Sequence, residues 1–244
     1  VTCSTCKVQV TDGYYGVGEA SHFALMDLER EEHKVLACCC KPESEMTIEA
    51  DVDEDPDFLG YLVQDYQAKV IEVRDLSPTI KGVRLQLDRA MDFQAGQYIN
   101  VQFPGIEGTR AFSIANAPSE LGIIELHIRH VVGGSATTYV HEQLAAGDEL
   151  EISGPYGQFF VRKSDEQDAI FIAGGSGLSS PQSMILDLLE SGDTRTIYLF
   201  QGARDVAELY NRELFEKLVK DYPNFRYFPA LNAPKEEDGW TGFT

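Results

Sequence analysis

Residues 168–192 read DAIFIAGGSGLSSPQSMILDLLESG. An apolar stretch, "DAIFIAGG", runs into a glycine turn, and an amphipathic stretch, "SSPQSMILDLLESG", follows and is closed by Gly192. The first reads as a buried strand and the second as a helix. The alternation then repeats, with "TRTIYLFQGAR" as a strand, "DVAELYNRELFEKLVKDYP" as a helix and "FRYFPAL" as a strand. Such an order predicts βαβ units on a parallel sheet. Gly174, Gly175, Ser176 and Gly177 form the turn. Glycines there let a backbone approach a pyrophosphate, while the helix N-terminus supplies amide donors and a favourable dipole. Ser180 stands where the third glycine of G-x-G-x-x-G would be, so a tight turn without a ligand is the alternative. The chain stops at "GWTGFT" after three such strands, leaving a sheet edge where further strands are expected.

Upstream the character differs. "YQAKVIEVRDL", "IKGVRLQL", "QYINVQF", "RAFSIANA", "IIELHIRHVV" and "DELEISG" come at regular intervals with turn residues between them. They predict a small antiparallel barrel, interrupted by one helix, "SATTYVHEQLAA". Within it, "GTRAFSIANAP" (108–118) places Arg110 and Phe112 on one strand face with Ser113 at its edge. Together they can bind an anion, stack a flat ring and donate one hydrogen bond. Taken alone, an arginine on a strand is as well read as a solvated face. His127, His130 and His141 have the spacing of neither a helix face nor one strand face, so surface or barrel positions are expected rather than a metal site.

The first 52 residues carry all five cysteines, with "KVQV" and "TIEADV" as strands and "SHFALMDLERE" as a short helix. An odd cysteine count without a secretory signal is not a disulfide framework; metal or cluster binding is the better use, against zinc or buried structural thiols. Forty acidic and twenty basic residues give a net charge of −20, which argues against nucleic acid as a partner. The densest acidic stretch, "ESEMTIEADVDEDPD", reads as a solvated linker, or else as a docking surface for a basic partner. No apolar run approaches a membrane span and no signal segment opens the chain, so a cytoplasmic protein is expected.

In combination these motifs say more. Arg-x-Phe-Ser in a barrel, then "VVGGSATTYV", then the glycine turn, resembles the ferredoxin-NADP reductase-like superfamily. That resemblance implies FAD bound by Arg110, Ala111, Phe112 and Ser113, with the arginine on the phosphates, the aromatic against the isoalloxazine and Ser113 catalytic beside the reactive nitrogen. Gly134, Ala136 and Thr137 match its second phosphate turn, and Tyr98 lines the pocket. Gly174, Gly175, Ser176 and Gly177 match the nicotinamide-dinucleotide loop, with Pro181 one place later than the family's proline. Gly202, Arg204 and Glu208 match the stretch at the adenosine ribose. An acidic residue there favours NADH, although Arg204 argues for NADPH.

Stretches along the whole chain narrow this further. "KVLACC", "DPDFLG", "LSPTIKG", "FQAGQY", "SGPYGQFFV" and "FIAGGSGLSSPQSMILDLLE" are similar to the reductase component of bacterial multicomponent phenol hydroxylases. The resemblance implies a partial β-grasp ferredoxin domain (1–52), an acidic linker (53–63), an antiparallel FAD-binding barrel (64–163) and a partial Rossmann-like NAD domain (164–244). It implies a [2Fe–2S] cluster on Cys3, Cys6 and Cys38, with a first ligand before Val1 and with Cys39 and Cys40 as packed bystanders. A piece lacking both ends is expected. The implied activity is transfer of electrons from NADH through FAD and the cluster to an oxygenase component, from a reductase that is a monomer. Two alternatives stand beside it: the reductase of a toluene, methane or benzoate oxygenase, and a non-catalytic flavin- or nucleotide-binding regulatory module.

Overall fold

The structure is a computed structural model, and it describes residues 6–50 and 55–244. The chain divides into two compact units, Val1–Asp55 and Pro56–Thr244.

In the first unit, β1 (Lys7–Asp12) runs between β3 (Lys34–Leu36) and β5 (Thr47–Glu49), antiparallel to both. A two-residue ladder joins β2 (Tyr15–Gly16) to β4 (Lys41–Pro42). Ala24, Leu25 and Leu36 form the buried core, with Cys6 and Cys39 packed against it. The expected helix from Ser21 is shorter. Only Asp27–Glu31 forms α1, because the amides of Ala24 and Leu25 turn back onto the Ser21 carbonyl and carry both side chains into the core.

The second unit holds two sheets. Its antiparallel sheet comprises β6 (Gln64–Ser77), β7 (Ile80–Leu87), β8 (Tyr98–Gln102), β9 (Arg110–Ser113), β10 (Ile123–Arg129) and β11 (Glu149–Tyr156), in the order β10-β7-β6-β11-β8-β9. Alternate side chains such as Val70, Leu85, Ile99, Val101 and Leu126 point into one core. The expected barrel is therefore a curled sheet, not one closed by a continuous ladder. Its edges meet at a single antiparallel bridge, Ile114 to Leu126, because β9 stops after four residues. Helix α2 (Ser135–Glu142) follows β10.

The parallel sheet has β12 (Ala169–Gly174), β13 (Ile197–Ala203) and β14 (Phe225–Leu231) in sequence order. Helices α3 (Ser179–Glu190) and α4 (Arg212–Asp221) connect them, and Ile185, Leu188, Phe215 and Leu218 pack with Phe171, Leu199 and Phe225. Ile170 and Ile172 on β12 are exposed. The expected helix over 205–223 is broken. Asp205 caps a 3-10 turn at Val206–Glu208, Leu209 and Tyr210 are buried, and Asn211 adopts a left-handed φ of 55° before α4 starts. Asparagine tolerates that conformation better than most residues.

Two seams tie this unit together. Gln182 Nε2 donates to the Ala115 carbonyl (3.2 Å) and Ser183 Oγ to the Asn116 carbonyl (2.6 Å), fastening α3 to the chain beyond β9. In the expected linker, the Phe58 ring stacks on Phe160 at 6.0 Å, Gln94 bonds the backbone of Asp57 and Leu59, and the Asp57 carboxylate accepts the Ser164 amide at 3.1 Å. This part of the acidic stretch lies docked on the barrel. Among the described residues no helix is long and apolar enough to cross a membrane.

Candidate functional site

Strand β9 carries the Arg-Ala-Phe-Ser sequence. Its register sets Phe112 opposite Ile99 and Ser113 opposite Tyr98, so Phe112 faces the barrel interior and Ser113 shares the outer face with Tyr98. Phe112 is half-buried, edge-on to Phe103 at 6.0 Å. Tyr98 stacks on Tyr156 at 5.4 Å, extending an aromatic row across neighbouring strands. Arg110 is exposed, its Nη1 donating to the carbonyls of Glu107 (3.2 Å) and Thr109 (2.9 Å). Ala111 is exposed beside it.

The second turn precedes α2. Gly134 is its N-cap and offers no side-chain acceptor to the first-turn amides. Thr137 Oγ1 accepts the Val131 amide at 3.1 Å and closes the turn, while Ala136 is buried. An exposed guanidinium, free helix-end amides and aromatic side chains form a donor set that fits a flavin dinucleotide.

The glycine turn lies at the end of β12. Gly174 ends the strand, and Gly175, with φ 52°, opens a 3-10 turn, Gly175–Leu178, that holds Ser176 and Gly177 and leads into α3. Pro181 falls in the first turn of α3, where a missing amide costs nothing. A cleft of about 430 Å³ is lined by Gly175, Gly202, Arg204 and Glu208 together with Thr79 and Arg129. Glycine edges beside two cations fit a pyrophosphate. Arg204 pairs with Asp205 at 3.2 Å. Glu208 Oε2 accepts hydroxyls from Ser77 and Thr79, each at 2.8 Å, so this carboxylate also latches the β6–β7 hairpin to the parallel-sheet domain.

Thr79 and Arg129 were not singled out in the sequence, and of the group next to them only His127 was, with a surface or barrel position expected. On β10, Glu125 and His127 are both buried. Glu125 meets Arg74 at 2.7 Å and Arg84 at 2.9 Å. Burial pushes the Glu125 carboxyl up, but the hydrogen bond from His127 and the charges of His127, Arg74 and Arg84 outweigh it and hold it below its ordinary value. The His130 and His141 rings lie 5.1 Å apart, with His141 Nε2 bonded to the Ile128 carbonyl (2.9 Å). Among the described residues no group of His, Cys, Asp or Glu is arranged to hold a metal ion.

In the first unit, pairing of Lys7 with Leu36 brings Cys6 beside the 37–38 segment, where the Ala37 amide donates to the Cys6 carbonyl at 2.8 Å. The Cys38 amide holds the Cys6 thiol below its ordinary value. Cys38 Sγ is 3.6 Å from Cys39 Sγ, and Cys39 packs against the core. Cys3 lies outside the described residues. The hydrogen bonds with Cys6 and Cys39 push the Cys38 thiol up to about 12, so thiolate ligation of iron by Cys6 and Cys38 would displace the Cys38 proton.

Three family models match: a 2Fe-2S iron-sulfur cluster binding domain over residues 1–43, an oxidoreductase FAD-binding domain over 67–161 and an oxidoreductase NAD-binding domain over 171–244. The phenol hydroxylase P5 protein of Acinetobacter pittii (strain PHEA-2) is 85% identical over 100% of this chain and 69% of its own length. The chain belongs to the family of phenol hydroxylase reductase components. The phenol 2-monooxygenase reductase component of Pseudomonas sp. (strain CF600) is 65% identical over 99% of the chain, again covering 69% of that relative. Among solved structures, an Amycolatopsis cytochrome P450 reductase superposes with a TM-score of 0.87 at 33% identity, covering 96% of this chain and 71% of that one. Membership makes this chain a NAD(H)-dependent oxidoreductase with FAD and a 2Fe-2S cluster as its cofactors.

Proposed function

We propose that the chain passes electrons from NADH, through FAD and a [2Fe–2S] cluster, to the oxygenase component of a phenol hydroxylase. The observation that carries this is the seam at α3. The helix that begins at the dinucleotide turn is bonded by Gln182 and Ser183 to Ala115 and Asn116, just beyond Ser113. The segments that would hold the two coenzymes therefore share a wall. When bound, FAD supplies the conversion of a two-electron donation into single electrons, and the cluster a one-electron relay.

The chain's own work is binding, orientation and exclusion of water. Arg110 and the amide of Ala136 bind the flavin phosphates, with Gly134, whose own amide donates to the Val131 carbonyl, and Thr137 holding the turn in shape. Tyr98 and Ala111 line the ring site, Ser113 donates a hydrogen bond there, and Phe112, turned into the barrel, backs it from behind. Gly174, Gly175, Ser176 and Gly177 receive the pyrophosphate of NADH. Gly202, Arg204 and Glu208 receive its adenosine ribose; the pairing of Arg204 with Asp205 weakens its call on a 2′-phosphate and favours NADH. Cys3, Cys6 and Cys38 ligate the cluster. Phenol as the substrate of the partner is taken from the relatives, and the net charge of −20 supports a monomeric protein.

The test is an anaerobic visible spectrum before and after NADH. A flavin band that NADH bleaches is expected, and a folded chain without a flavin band would sink the assignment of Arg110, Phe112 and Ser113. Arg110→Ala should weaken FAD binding about tenfold to hundredfold, as expected for loss of a charged donor to phosphate, read as flavin retained on dilution. Ser113→Ala should retain FAD but slow NADH-driven bleaching about tenfold, the value of one hydrogen bond to the reacting ring. An unchanged rate removes Ser113 from the catalytic site.

A further inference from the structure

Glu208 lines the same cleft as Arg129 and Arg204, yet among the described residues it forms an ion pair with neither. A carboxylate on a long side chain beside two guanidiniums gains most by swinging onto one of them. Here its Oε2 accepts the hydroxyls of Ser77 and Thr79 instead, each at 2.8 Å. Both donors belong to the barrel sheet: Ser77 ends β6 and Thr79 lies in the turn before β7. These hydroxyls are themselves fixed. Ser77 Oγ accepts the Thr79 amide at 3.2 Å, which leaves its own hydrogen for the carboxylate. The Thr79 carbonyl accepts the His130 amide at 2.8 Å, tying the turn to the chain just after β10. On the other side Asp205 caps the 3-10 turn and its Oδ1 accepts the Glu208 amide at 3.2 Å. Backbone and carboxylate of Glu208 are therefore both anchored.

The choice of donor decides the charge of the cleft. Two hydroxyls satisfy a carboxylate oxygen without neutralising it, whereas an arginine would do both. Two donors fill the lone pairs of Oε2, and among the described residues Oε1 receives no hydrogen bond. Glu208 thus offers one open acceptor oxygen, and Arg129 and Arg204 are left for phosphate. A ribose 2′-hydroxyl is a donor and suits Oε1. A 2′-phosphate brings further acceptors and negative charge, and the same oxygen repels it. If Glu208 swung onto Arg204, the cleft would lose the acceptor and the repulsion together.

We propose that Ser77 and Thr79 are positioning residues for coenzyme choice: their hydroxyls hold the Glu208 carboxylate off the arginines of the cleft and leave Oε1 for the adenosine ribose, which favours NADH over NADPH. This rests on the reading of the cleft as the NADH site and adds to it a contribution from the barrel sheet. Ser77 is only 9% exposed, so its hydroxyl acts through Glu208 and not by touching the coenzyme. Thr79 lines the cleft and has the same partner.

The test is calorimetric titration of the FAD-loaded protein with ADP-ribose and with 2′-phospho-ADP-ribose. These probes carry the part of the coenzyme that meets Glu208 and need no turnover. The parent should prefer ADP-ribose. Ser77→Ala and Thr79→Val each remove one hydroxyl with little change in volume, and flavin content reports that each variant folds. Each should reduce the preference about fivefold, the worth of one hydrogen bond. Thr79→Ser keeps the hydroxyl and should keep the parent's preference. A third probe, 2′-deoxy-ADP-ribose, closes a cycle. Loss of the 2′-hydroxyl should cost the parent about fivefold in affinity and the Ser77→Ala, Thr79→Val double variant nothing, because there the carboxylate is no longer held. A hairpin latch without a part in coenzyme choice would weaken all probes equally in the variants; an unchanged preference therefore overturns the proposal. So does an effect confined to Thr79→Val, which would mark a direct contact of Thr79 with the coenzyme. If NADH fails to bleach the parent while the probes bind with the expected preferences, the proposed function fails and this inference stands. A parent that binds no probe, or binds the first two alike, overturns this inference whatever NADH does to the flavin.

Discussion

Glu125→Ala is expected to cost the protein about 3–5 kcal/mol, the range for removing one partner of a buried ion pair. The side chain is only 6% exposed and is the common acceptor for Arg74, Arg84 and His127. Without it three donors from β6, β7 and β10 face one another with no anion between them, and His127 cannot turn to water because Tyr210 packs on it. Urea denaturation of the parent and variant measures the loss, and a difference below about 1 kcal/mol would mean that solvent reaches this group. Acid should act through the same carboxyl. Its folded value is depressed from the ordinary 4.5, so its contribution is complete above that pH and is lost as pH falls through the folded value. The parent should therefore lose stability on acidification more steeply than Glu125→Gln.

Gly96→Ala is the second large effect, at about 3–4 kcal/mol, from a strained left-handed residue plus overpacking. Gly96 has φ 101°, and a Cβ there would overlap the Phe159 carbonyl oxygen and the Met184 methyl group. Met184 is the far end of a flexible side chain and can yield; the Phe159 carbonyl is backbone and cannot without moving the chain after β11. The Gly96 carbonyl also accepts from Ser180 in the first turn of α3 (3.5 Å), so the displaced backbone should disturb that helix start as well. Thermal unfolding with a midpoint within about 2 °C of the parent would show that this close approach is absent in solution.

The motifs that can be read in the sequence are those whose chemistry is local. Arg110, Phe112 and Ser113 sit within four consecutive residues, and the glycine turn is contiguous between a strand and a helix, so period and composition suffice. The structure brings Gly175, Gly202, Arg204 and Glu208 into one cleft, as their place after parallel strands implies. What stayed hidden depends on partners distant in sequence. His127 and Tyr210 are 83 residues apart, and the hydroxyls on Glu208 come from residues 131 and 129 positions earlier. Alternation along β10 marks Glu125 and His127 as outward, which they are; only tertiary packing shows that outward here means covered. The helix over 205–223 failed for a similar reason. Its amphipathic pattern is real from Arg212 onward, but burying Tyr210 needs the turn at Asn211.

The seam between α3 and the chain beyond β9 has an evolutionary side. Both donors, Gln182 Nε2 and Ser183 Oγ, are side-chain atoms, whereas both acceptors, at Ala115 and Asn116, are main-chain carbonyls. Every amino acid has such a carbonyl. As far as these two bonds are concerned, positions 115 and 116 are therefore free to drift so long as the backbone path is kept, while 182 and 183 must keep donors of the right reach. In a chimaera that joins the barrel of one relative to the parallel-sheet domain of another, compatibility at this seam would be inherited almost entirely from the helix.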